Sequence, residues 1–334
     1  MKKFLPPLIS VIVPAFNTAQ RLKFSLNSIA VQDYVNLEII FVDDASTDDT
    51  GIIAREILSS SARPFTLITN STNSGASSSR NTALASAKGE YVCFVDADDS
   101  VRPSFISSLY DSAVKNDSDI AFCGRTDTFS DGSPDINITH KNFNAERLIM
   151  NNSVPSFFCC LYRMSLLRKY NLLFHNGCTC GEDTEFITKA LCMAGKISSV
   201  NQCLYLYAHH NAMGSVRDNN TPQKIIRRYS DNTEAIKRTA EYISANSTSR
   251  TLRKFSRHVL MPQYIIRRFN LCAMKNDMQV YMSTLKDVNA RKILSQAVSF
   301  YTLVKKSEVF FKALMILKLP MLYYRLRTGK NYDG

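Results

Sequence analysis

Four short apolar runs, each ending in polar residues, constrain the fold of this chain more than any other feature. They are LISVIVPAF (8–16), EIIFVDD (38–44), FTLIT (65–69) and YVCFV (91–95). Runs of this length and β-branched character read as strands buried on both faces. Between them, apolar residues recur at helical spacing. Leu22, Leu26 and Ile29 mark a first helix. Ile52, Ile53 and Ile57 mark a second, behind the capping residues Ser46 and Asp48. An Ala- and Ser-rich third covers 76–87, and Pro103 opens a fourth over 104–115. DIAFCG (119–124) reads as a further strand.

This alternation predicts an α/β fold with a Rossmann-like, mostly parallel central sheet and helices on both faces. Ligands of such sheets bind beyond the carboxyl ends of the strands. Polar clusters fall at those ends: Asn17, Asp43 and Asp44, Asn73 and Gly75, and Asp96 to Asp99. Residues 125–155 are polar and read as loop. GEDTEFITKALCMAG (181–195) reads as a helix burying Phe186, Ile187, Ala190, Leu191 and Ala194. From about residue 222 the pattern is helical, basic and rich in Tyr, Met and Leu. The expected division is therefore a front domain over 1–220 and a C-terminal helical region over 221–334.

Charge follows the same division. Residues 221–334 hold 22 Lys and Arg against 7 Asp and Glu, a balance of +15, so the total of +12 leaves −3 for 1–220. IIRR occurs twice in the tail, at 225–228 and 265–268, which points to phosphates or an anionic membrane. The opening residues lack the apolar run of a signal peptide, and no apolar stretch reaches transmembrane length. Nine cysteines, an odd number, stand in apolar surroundings, as expected of free thiols in a reducing compartment. Cys178 and Cys180 lack a second Cys or His pair at zinc-finger spacing.

The chemistry gathers at EYVCFVDADD (90–99), where a buried strand runs into Asp96, Asp98 and Asp99. Carboxylates this close repel unless something positive offsets them. A helix cap, by Asp99 or Ser100 on the helix after Pro103, would account for one of them. A divalent cation suits Asp96 and Asp98, since alternate residues of an extended segment point the same way. An acid/base pair for hydrolysis is a third reading. Asp43 and Asp44 divide similarly between helix capping and contact with a nucleotide base or ribose.

Read together, SVIVPAFN, FVDDASTDDT, NSGASSSRNTALASAKGEYVCFVDADD and GEDTEF, in this order and spacing, resemble the inverting, nucleotide-sugar-dependent glycosyltransferases of family 2. The resemblance covers roughly residues 8–215. It implies the GT-A fold, and site residues follow from it position by position. Pro14, Phe16 and Asn17 would border the nucleotide. Asp44 would meet the base, with Asp43 close by. Gly75 and Arg80 would lie beside the nucleotide and diphosphate. Asp96 would face the ribose, Asp98 would bind the metal, and Asp99 matches an extra carboxylate often found there. Asp183 matches the catalytic base, with Glu182 as its alternative. A plainer role for Asp183 is a first-turn acid that complements the helix dipole. His209 and His210 stand where many members carry Arg, and His210 is a candidate metal or phosphate contact.

The function so implied is transfer of a sugar, with inversion, from a nucleotide-diphosphate sugar (a UDP-sugar is expected). The cofactor would be Mn2+ or Mg2+, and the acceptor a saccharide or lipid-linked saccharide. The pathway would be lipopolysaccharide, capsule or O-antigen assembly. The expected location is cytoplasmic, peripheral on the inner membrane, with the basic tail on its anionic surface. Nucleic acid is not expected as a partner, because no nucleic-acid-binding motif accompanies the charge. The rival is a non-catalytic nucleotide-sugar-binding or scaffolding subunit. An oxidoreductase is disfavoured, because PAFN stands where G-x-G-x-x-G would be.

Overall fold

The structure is a computed structural model and describes residues 5–130, 133–139, 144–209 and 221–275. It divides into two compact units. The first comprises Met1–Gly177 and Phe186–Asp218, the second Cys178–Glu185 and Asn219–Gly334.

In the first unit β1 (Ile9–Ala15), α1 (Ala19–Ala30), β2 (Leu37–Asp43), α2 (Thr50–Ser60), β3 (Phe65–Thr69), α3 (Ala76–Ser86) and β4 (Tyr91–Phe94) alternate as the sequence predicts. Then come β5 (Ser100–Val101), α4 (Phe105–Asn116), β6 (Ile120–Phe129), β7 (Ile136–Ile138), α5 (Ala145–Met150), β8 (Cys160–Arg163) and α6 (Met164–Lys169). Helix α7 (Glu182–Met193), whose first turn is counted with the second unit, precedes β9 (Ile197–His209).

Among the described residues the sheet order is β3-β2-β1-β4-β8-β6-β9-β5, with β7 beside β6. The first four strands pair in parallel. Every residue of β1, β2 and β4 is buried, so both sheet faces are covered there. Beyond β4 the pairing changes. β8 is antiparallel to β4 and β6, β5 to β9 and β7 to β6, while β9 runs parallel to β6 through register shifts. Antiparallel strands therefore extend the parallel block that the sequence announces.

One local expectation is corrected, and one helix buries a face that its apolar residues do not announce. The stretch 125–155 is not all loop, because it holds the end of β6, β7 and α5. Its polar side chains satisfy one another within the sheet: Thr126 donates to Asn137 at 2.7 Å, and Arg125 pairs with Asp127 at 2.6 Å. In α2 the buried side is Thr50, Ala54 and Leu58, while Ile52 is exposed. The Thr50 hydroxyl donates to Asp48 at 2.5 Å and accepts the Thr18 amide at 2.8 Å, which sets the rotation of the helix. In α7 Phe186, Ile187, Ala190 and Leu191 are buried as expected, and Ala194 is half-buried.

Phe94 sits at the centre of the core. Phe157, Tyr162, Phe174 and Phe186 meet its ring edge-on, with centroids 5.3–5.9 Å away. Arg63 ties the α1–β2 connection. Its guanidinium donates to the carbonyls of Ala30 (3.2 Å), Tyr34 and Val35 (2.9 Å each) and Gln32. Arg63→Ala leaves those acceptors partly unmatched and should cost about 1–3 kcal/mol of stability. Urea titration reads this directly, and an unshifted midpoint would show that water replaces the clamp.

The second unit holds α8 (Pro222–Asn246), α9 (Arg250–Phe255), a π turn at Ser256–Leu260 and α10 (Met261–Lys275). Thr221 caps α8 by accepting the Lys224 amide, and Pro222 occupies the first turn. The two IIRR motifs behave differently. Ile225 and Arg227 are exposed. Ile265 and Ile266 are buried, and the guanidinium groups of Arg267 and Arg268 lie over Tyr229 and Tyr264. No described helix is long and apolar enough to cross a membrane. The apolar, lysine-bearing stretch 309–327 lies outside the described residues.

Candidate active site

The site begins where β1 and β4 part. The chain moves from β1 outward to β2 and β3, then returns to β4 on the other side of β1, which makes this a topological switch point. Pairing between the two strands ends at Ile12 with Phe94, and the Val95 amide gives the last bond, to the Ile12 carbonyl at 2.9 Å. Pro14, two residues on, faces the same side and has no N–H to extend the ladder. A cleft opens there, lined by Pro14, Ala15, Phe16, Thr18, Asp44, Ala76, Ser79, Arg80, Asp96, Ala97 and Asp98.

Five of the expected nucleotide-side residues line this cleft: Pro14, Phe16, Asp44, Arg80 and Asp96. The other three shape its walls. Asn17, with φ 51°, accepts the Thr47 amide at 2.8 Å and donates its own amide to Ser46 at 3.0 Å. Asp43 accepts the Ser46 amide at 3.0 Å. Gly75 begins α3 with φ 86° and donates to Asp44 at 2.7 Å. A Cβ there would meet nothing within 4 Å, so backbone conformation, not space, asks for glycine.

Asp44 is a hub. Its carboxylate also accepts from Asn70 at 2.7 Å, from the Ser74 amide at 3.1 Å and from the Ser74 hydroxyl at 2.9 Å. Burial pushes its pKa up, but these hydrogen bonds outweigh it and hold the group below the usual carboxylate range. Asp44 thus fastens the β3–α3 loop to the end of β2.

The three carboxylates after β4 are handled in three ways. Asp96 pairs with Arg80 at 2.7 Å. Arg80 is buried, with its guanidinium 4.6 Å from the Phe157 ring centroid and 5.3 Å from that of Phe174. Part of the positive charge that the aspartates call for thus comes from within the chain, from Arg80 of α3. Asp99 is buried against β9, accepting from the Tyr205 hydroxyl and the Ala208 amide at 2.8 Å each. It caps no helix. Burial, then the charges of Asp96 and Asp98, push its pKa up to about 8. Asp98 lines the cleft.

Two buried polar atoms of cleft-lining residues, Thr18 Oγ1 and Arg80 Nε, have no hydrogen-bond partner among the described residues. Such atoms cost stability unless a ligand or water satisfies them. Among the described residues no group of three His, Cys, Asp or Glu could hold a metal alone. A hard cation shared between one carboxylate and substrate phosphates needs no such group, and Asp98 fits that arrangement.

Asp183 belongs to the second unit. It is half-buried in the first turn of α7, and its carboxylate accepts the Thr184 amide at 2.6 Å. His210 lies outside the described residues. His209 is described and pairs with Asp127 at 2.9 Å while stacking on Phe129. Sequence reasoning missed Thr18, Ser79 and Tyr205, whose roles depend on which strand ends meet.

Comparison with known proteins gives a consistent picture. The model of Glycosyl transferase family 2 matches residues 10–172. The "Uncharacterized glycosyltransferase EpsJ" of Bacillus subtilis is 30% identical over 216 residues, 60% of this chain and 61% of that one. "Glycosyltransferase GlyG" of Streptococcus pneumoniae is 30% identical over 213 residues, 60% of this chain and 70% of that one. The chain thus spans less than two thirds of the first relative's length and just over two thirds of the second's. Among solved structures, S. aureus TarS 1-349 in complex with UDP-GlcNAc matches with TM-score 0.66 and 21% identity, over 98% of this chain and 93% of that one. This last likeness shows the GT-A fold.

Proposed function

Since the chain belongs to glycosyl transferase family 2, we propose that it transfers a sugar, with inversion, from a nucleotide-diphosphate sugar to a saccharide or lipid-linked acceptor. The observation that carries this reading is the switch-point cleft, where Thr18 and Arg80 hold unsatisfied buried donors beside Asp44, Asp96 and Asp98. A UDP-sugar is the proposed donor, supported by the UDP-GlcNAc in the TarS neighbour. The proposed setting is surface polysaccharide assembly at the cytoplasmic face of the inner membrane. The +15 balance of residues 221–334 and the exposed Arg227 support docking to anionic lipid.

In this reading Asp44 and its loop hold the nucleoside end, and Arg80 and Asp96 fix the ribose and phosphate end. Asp98 would hold a divalent cation, which when bound offsets the charge growing on the leaving diphosphate. The acceptor oxygen forms its bond to the anomeric carbon as the bond from that carbon to the diphosphate oxygen breaks. The electron pair leaves with the nucleoside diphosphate, and the hydroxyl proton passes to the Asp183 carboxylate. The alternative of a non-catalytic binding subunit has less support, because Asp96, Asp98 and Asp183 are all present.

A thermal-shift screen of UDP-, GDP- and dTDP-sugars with Mn2+ tests this reading. A donor at 100 times its Kd adds about 2.7 kcal/mol, which raises the Tm by several degrees, roughly 2–4 °C per kcal/mol for a chain of this size. No shift with any nucleotide sugar would overturn it.

A further inference from the structure

One face of α8 is built around the segment that carries Asp183, and all of the contacts lie within the second unit. Asp231, Ala235 and Arg238 follow helical spacing, with Asn232 beside them. The Asp231 carboxylate accepts both the Thr179 amide at 2.9 Å and its hydroxyl at 2.6 Å. Gly181 has φ 92°, and a Cβ there would stand 3.1 Å from Ala235 Cβ and from Asn232 Cα. Backbone conformation and close approach both ask for glycine at this point. Asn232 is itself oriented by Arg267 of α10, which donates to it at 2.6 Å.

Arg238 makes the strongest of these contacts. Its Nε and Nη2 reach both Glu185 oxygens at 2.7–3.1 Å, and Nη2 also donates to Cys178 Sγ at 3.4 Å. One guanidinium therefore holds the segment on both sides of Asp183, five residues before it and two after. The Glu185 side chain is 3% exposed. The Arg238 side chain is 22% exposed, and replacing such a pair by apolar residues of the same shape is often near neutral in stability.

We infer that Arg238 is a positioning residue. Through Glu185 and Cys178 it fixes where the Asp183 carboxylate stands, which makes α8 part of the catalytic apparatus. This rests on the reading of Asp183 as the base. A misplacement of 1 Å at such a group costs roughly 100-fold in rate.

Two variants of the full chain test it. Arg238→Lys keeps the charge but loses the two-pronged fork. Arg238→Met with Glu185→Met removes both charges and keeps the volume. Each should lower kcat roughly 10- to 100-fold, with the donor Kd and the Tm near those of the parent. A partial return of kcat in Arg238→Lys relative to the double variant would mark the charged anchor on Glu185 as the cause. Parental kcat in either variant would overturn the inference and leave the pair a purely structural one. Asp183→Asn separates the two ideas. If it keeps turnover, the base assignment fails. If it is inactive while Arg238→Lys turns over normally, only the positioning role fails.

Discussion

Asp183→Asn should abolish transfer while leaving donor affinity unchanged. The substitution keeps the size of the side chain and its ability to accept the Thr184 amide. It removes only the capacity to take a proton. In an inverting displacement the acceptor hydroxyl must lose its proton as it attacks, and a positioned general base is worth roughly 10²–10⁴-fold. The loss should fall on kcat, because in the proposed reading the cleft of the first unit holds the donor. Transfer assays under single-turnover conditions, with donor binding by calorimetry, separate the two. Turnover within a few-fold of the parent would return Asp183 to the plainer role of a first-turn acid favoured by the helix dipole.

Asp98→Ala should remove the metal dependence of donor binding. Asp96 is engaged by Arg80, and Asp99 is held by Tyr205 and Ala208. Asp98 lines the cleft, where a carboxylate suits a cation shared with a diphosphate. Charge stabilisation at the leaving group is worth several kcal/mol, so kcat/KM should fall by roughly 10²–10³-fold. The parent should bind the donor more tightly with Mn2+ than without it, and Asp98→Ala should bind equally in both. Equal affinity in the parent, with and without Mn2+, would exclude the metal role of Asp98.

The parallel block was legible because each of its strands is buried on both faces, and burial of that kind writes an unbroken apolar run. The strands of 120–209 were harder to see. β6 alternates polar residues whose partners, such as Asn137 for Thr126, come from elsewhere in the chain. The inner side of α2 was not legible either, because it rests on Thr50, a polar residue held by Thr18 and Asp48. In the site, the aspartates stood out by their spacing. Their partners did not, since Arg80 reaches Asp96 across 16 positions and Tyr205 reaches Asp99 across 106. Spacing names the groups with chemistry, and only the crossing of strands decides which is spent internally.

Pro14 carries a wider consequence. Sheets tend to zip to the ends of their strands, since every further rung matches a donor with an acceptor. Here the rung after Ile12 would need a hydrogen that proline does not carry. The entrance between β1 and β4 is thus kept open by a missing donor within the strand itself. Loops around such an opening are at liberty to diverge while the break in the ladder stays the same.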